Sequence, residues 1–149
     1  MSKTFTAPFG QIPNTASAVA TAAVALTPNG VDSSTTVTNS VLLLTAGADG
    51  GILVSLAAIA RATVTASGLC IWSSTDAGTT RNLIMSALMP AYTLAATTQN
   101  VPTAFKLPDN STVISESAPY RLKAGEILYV GTLVALTAGI VFNARWMDY

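Results

Sequence analysis

The sequence predicts an all-β fold, a jelly-roll-like antiparallel β-sandwich of about 8–10 strands with an extended N-terminal arm. Short runs rich in Val, Ile, Leu and Thr recur at roughly ten-residue spacing, separated by clusters of turn-forming residues. No stretch carries an apolar stripe with the 3.6-residue period of a helix. Near the C-terminus, Ile140, Phe142, Ala144 and Trp146 alternate with Val141, Asn143 and Arg145, the pattern of a half-buried strand. At 149 residues the chain is long enough for one domain with a sizeable core. It divides into an arm over residues 1–15 and one β-sandwich domain over 16–149. No fixed-period repeat is present.

The arm contains Pro8 and Pro13, which hold the backbone extended, and Phe5 and Phe9, which are out of place on a free tail. Both rings are therefore expected to anchor on the body or on a neighbouring copy. Ala16 to Leu26 mixes alanine with Val19, Thr21 and Val24 and reads as a strand ending at Thr27-Pro28-Asn29-Gly30. Val41 to Thr45 and Ile52 to Ala60 flank a glycine-rich turn and suggest a hairpin. Ala62 to Trp72 follows, with Val64, Ala66, Cys70 and Trp72 on one face and room for a bulge at Gly68. Asn82 to Met89 is a strand stopped by Pro90, and Tyr92 to Thr97 and Val101 to Phe105 are shorter strands. Tyr120 to Leu122 leads through the turn Lys123-Ala124-Gly125-Glu126 into Ile127 to Leu136. In the last strand, period 2 turns Phe142 and Trp146 inward and leaves Asn143 and Arg145 for water or a partner.

Composition excludes whole classes of function. Only 9% of residues are charged, there is no histidine, and seven basic residues balance seven acidic ones. That leaves no electrostatic footprint for nucleic acid. It also describes a poor surface for an isolated protein, because a neutral skin with few charges self-associates. The first sixty residues carry only Lys3, Asp32 and Asp49. Hydropathy is high, yet Ser86, Pro90 and several threonines break the long charge-free stretch from Asn82 to Phe105, so no membrane-spanning helix is expected. The N-terminal region lacks the shape of a secretion signal, and aromatic residues are too sparse for the girdles of an outer-membrane barrel.

Candidate chemistry is thin. Without histidine there can be no Ser-His-Asp triad or Cys-His pair, and the single Cys70 reads as a small buried hydrophobe. The glycine cluster Gly47 to Gly51 lacks a phosphate-loop pattern. Asp49, Asp76 and Asp109 are isolated from one another and suit turns better than calcium. Trp72, Tyr92, Tyr129, Trp146 and Tyr149 could build a sugar platform, although most fall inside strand patterns and suit a core. The expectations are no enzyme activity, no cofactor and no metal. Phe5, Phe9, Arg145 and Tyr149 are the candidates for an assembly interface.

The segments Val41 to Gly50, Arg61 to Leu69, Ser74 to Thr80 and Leu122 to Gly131, with the ending Phe142-Asn143-Ala144-Arg145-Trp146, resemble small structural proteins of tailed phages and prophages. The likeness covers most of the chain after the arm and consists of turns and strands without chemistry. It implies a virion component, a jelly-roll decoration (cement) protein on the capsid surface, made in the bacterial host cytoplasm and often trimeric. The implied partners are further copies of the chain and a phage major capsid protein or neighbouring virion protein. The resemblance transfers no functional residue. A carbohydrate- or receptor-binding module of a tail or fibre is the competing expectation.

Overall fold

A computed structural model describes residues 12–24 and 37–149. Among these residues all regular structure is β. The strands are β1 (Ile12–Ala20), β2 (Val41–Thr45), β3 (Gly51–Ala60), β4 (Ser67–Ser74), β5 (Asn82–Met89), β6 (Thr103–Ala104), β7 (Tyr120–Leu122), β8 (Ile127–Thr132) and β9 (Ile140–Asp148). They form two antiparallel sheets. The first runs β1-β9-β3, with β6 and β7 both pairing on the far edge of β3; the second runs β2-β8-β4-β5.

The pairing is nested. β1 pairs with β9, β2 with β8, β3 with β7 and β4 with β5, as if one long hairpin had been wrapped around a barrel-shaped core. This is jelly-roll order, and β6 is a short addition beside β7. Residues 12–15, assigned to the arm by sequence, are indeed extended, but they belong to β1 and lie opposite Asp148 to Arg145.

Two sequence expectations fail, the first because local turn signals do not say which sheet the next strand joins. Val41–Thr45 and Gly51–Ala60 are not a hairpin, because β2 pairs with β8 and β3 with β9. The turn between them crosses from one sheet to the other, packed against the backbone of β7 and β9. Gly50 has φ +81°, and a Cβ there would sit 2.5 Å from the Leu122 carbonyl oxygen. The second failure is in β4. Val64 makes an isolated bridge to Tyr92 outside the strand, while Leu69 and Ile71 face the inter-sheet core. Cys70 and Trp72 lie on the opposite face, which is also buried. A strand covered on both faces loses its alternation. The register shift falls between Ile71 and Trp72 rather than at Gly68, whose missing side chain instead admits Leu133. The strand expected over Ile127 to Leu136 ends at Thr132, after which Leu136 N–H donates to the Thr21 carbonyl at 2.9 Å.

The core lies between the sheets. Phe142 and Phe105 are fully buried, with ring centroids 6.1 Å apart, and each such side chain contributes about 1.5–3 kcal/mol by burial. A second cluster, Val24, Val37, Cys70, Trp72 and Tyr129, covers the outside of β4 and β8. There the Arg81 guanidinium stacks 3.7 Å from the Tyr129 ring centre and donates to Ser40 Oγ at 2.6 Å. The central strands β4 and β8 of the second sheet thus have packed side chains on both faces.

Candidate assembly surface

Among the described residues, nothing comparable covers the first sheet. Register sets its outward side chains in rows across β1, β9 and β3: Val19, Val141 and Ile59; Ser17, Asn143 and Ala57; Thr15, Arg145 and Ser55; Pro13, Met147 and Ile52. The intervening positions Ala18, Ala20, Phe142, Ala144, Ala58 and Ala60 point into the core and are buried. Every outward residue in these rows is exposed or half-buried. The face is built mainly from aliphatic, hydroxyl and amide groups; Arg145 is the single charged side chain in the rows of these three strands, and the last row continues from Ile52 to the exposed Arg121 on β7. Arg145 lies between Thr15 and Ser55, so neither cross-strand neighbour is a carboxylate. Ser17 Oγ donates to Asn143 Oδ1 at 2.6 Å, tying the face together in its middle row.

The interface candidates separate. Arg145 stands in the middle of this face, as the β9 alternation indicates. Tyr149 follows the end of β9, where its N–H donates to the Gly50 carbonyl at 3.1 Å, and its side chain is half-buried. Phe5 and Phe9 lie outside the described residues.

The remaining candidates serve the fold. Asp76 Oδ1 accepts from the Thr80 N–H and the Ser74 hydroxyl, both at 2.8 Å, which closes the β4–β5 loop. The Thr80 N–H, then the Thr80 and Ser74 hydroxyls, lower its pKa to about 2. Asp109 Oδ1 likewise accepts from Ser111 N–H at 3.0 Å and from its hydroxyl at 2.6 Å. Among the described residues no group of three Cys, Asp or Glu side chains is placed to hold a metal ion. Trp72, Tyr129 and Trp146 are buried, so the aromatic residues do not gather into an exposed platform. Burial pushes the Cys70 thiol up to about 11.

Glu126 is the residue that sequence reading misses. Only 1% of it is exposed, and its carboxylate accepts from Tyr120 Oη at 2.8 Å, from the Lys123 N–H at 2.7 Å and from the Ser73 hydroxyl. It therefore joins β7 in the first sheet to β4 in the second. Its position in an ordinary Lys-Ala-Gly-Glu turn resembles that of a solvated glutamate, and only the neighbouring burial reveals the difference.

No protein-family model matches the chain. No curated protein matches its sequence. Among solved structures, one titled "Structure of infectious bursal disease virus Gx strain" aligns with 99% of this chain and 42% of its own, at 12% identity and a TM-score of 0.21. The chain thus spans less than half of that protein, and a score so low carries no argument about fold or role. No helix among the described residues is long and apolar enough to cross a membrane.

Proposed function

We propose that this chain is a non-enzymatic structural subunit of a phage virion, a capsid decoration or cement protein that acts by packing as a homotrimer at junctions between capsid subunits. The observation that carries the reading is the outward face of the first sheet, which nothing among the described residues covers and whose rows carry only Arg145 and Arg121 as charged side chains. Interface cores are depleted in charged residues in the same way. A subunit that binds only the assembled lattice favours that lattice by mass action, and an interface of roughly 1,600 Å² in total is the ordinary size for stable association. The jelly-roll order, the low overall charge and the resemblance of the turn and strand segments to phage structural proteins support the same reading. The buried aromatic rings weigh against a sugar-binding platform on a tail or fibre.

Gold-labelled antibody against the chain, applied to particles released from the producing cells, tests the assignment by electron microscopy. Label spread over the heads is expected. Label confined to tails, or absent from particles, overturns it.

A further inference from the structure

The inference concerns the other side of the sandwich and rests on the assembly reading above. A groove of about 680 Å³ runs along β5, the outer strand of the second sheet. The strand is its floor, and the segment from Lys106 to Asn110 is its wall. It continues past Thr103 and Ala104 of β6. Leu88 stands in it 69% exposed, the most exposed large apolar side chain among the described residues. Lys106 is the one charged residue that lines it.

β5 is hydrogen-bonded on one side only. Among the described residues, no turn or loop hydrogen bond reaches the backbone of residues 82–89. Alternate N–H and C=O groups therefore face the groove, and such an edge is a template for another extended segment.

We propose that this groove receives residues 1–11 of a second copy as an added strand, with Phe5 and Phe9 packing beside Leu88. In extended backbone Phe5, Ala7 and Phe9 share one face, and the segment carries a single charged side chain, Lys3. Its length fits. Eleven extended residues span up to about 36 Å, and the eight of β5 span about 27 Å.

Reach then decides between a chain's own arm and a neighbour's. Ile12 lies in β1, at the opposite edge of the first sheet from β6. Crossing three strand spacings takes about 14 Å, and passing to the facing sheet takes about 10 Å more. Phe9 is three residues from Ile12 and so reaches at most about 11 Å. A chain cannot seat Phe9 in its own groove. Donor and acceptor surfaces differ, so each arm seated in the next copy's groove makes a head-to-tail contact, which forms a ring where the rotation between copies closes.

Disulfide trapping in the full-length chain tests this. Phe9→Cys and Leu88→Cys are introduced together in a Cys70→Ser background and oxidised mildly at micromolar concentration. A ladder of disulfide-linked copies ending at the closed ring is expected on non-reducing gels. No disulfide, or one confined within a single chain, overturns the proposal. Leu88→Arg, at an exposed position that leaves folding intact by circular dichroism, should weaken association at least tenfold, as should Phe5→Ala with Phe9→Ala. If Leu88→Arg leaves a stable oligomer unchanged, the groove is refuted while the assembly reading stands. If the wild-type chain never associates at micromolar concentration, both are refuted.

Discussion

Removing the Glu126 carboxylate should be among the most damaging single changes in the protein, although no aliphatic side chain is removed. In Glu126→Ala, three donors lose their acceptor inside the molecule: the Tyr120 hydroxyl, the Lys123 N–H and the Ser73 hydroxyl. A buried donor left without a partner costs about 1–3 kcal/mol, and some of that is recovered where water enters the space, so a loss of roughly 3–5 kcal/mol is expected. Glu126→Gln keeps one carbonyl oxygen but turns an N–H₂ toward donors, for a loss of about 1–3 kcal/mol. Urea unfolding followed by tryptophan fluorescence measures both. With a slope of about 2 kcal/mol per molar, the midpoint should fall by about 2 M for Glu126→Ala and by about 0.5–1.5 M for Glu126→Gln. Tyr120→Phe removes one donor, and its cost should largely vanish when combined with Glu126→Ala, since the two share one network. A Glu126→Ala protein within about 1 kcal/mol of wild type would refute the claim that this carboxylate joins the two sheets.

Three further outcomes follow from neighbouring features. Gly50→Ala should destabilise the fold by about 2 kcal/mol or more, because it combines positive φ with a clash against the Leu122 carbonyl; Gly125→Ala, with φ +64° but open space around it, should cost about 1 kcal/mol by the same urea assay. Cys70, its thiol raised by desolvation to about 11, should resist iodoacetamide at pH 8 in the native protein and react fully once unfolded; rapid native labelling would contradict its burial. The Asp76 carboxyl titrates near 2 when folded, against 3.8 ordinarily. Its contribution is therefore complete above about pH 4 and is lost as pH falls through about 2. Amide exchange at Gly78 and Thr80 should rise in that window in wild type, and in Asp76→Ala should already be raised at neutral pH.

The sequence made strands legible wherever one face is buried and the other bare. β9 is the clearest case: Phe142 and Trp146 turn inward and Arg145 outward, and that alternation places the candidate surface. The limits of β2, β5 and β7 were equally readable, because turn residues bracket them. Sheet membership was not. Residues 47 to 51, with Gly47, Gly50 and Gly51, form a turn in either a hairpin or a crossover, and only long-range pairing with β7 and β9 selects the crossover. The β5 groove was hidden for a related reason, since its wall comes from residues 106–110, far along the chain. Glu126 was hidden because burial of a charged group depends on what three other segments bring to it.

The claim at the centre of these results is that a face so poor in charge exists to be covered by other copies. Multi-angle light scattering of the purified full-length chain at micromolar concentration tests it directly, with Val141→Lys and Ile59→Lys together as the matched control. The wild-type protein should elute at three times its 15.2 kDa chain mass, and the lysine variant, folded by circular dichroism, should dissociate. A wild-type protein that elutes as a 15.2 kDa monomer would contradict the claim outright.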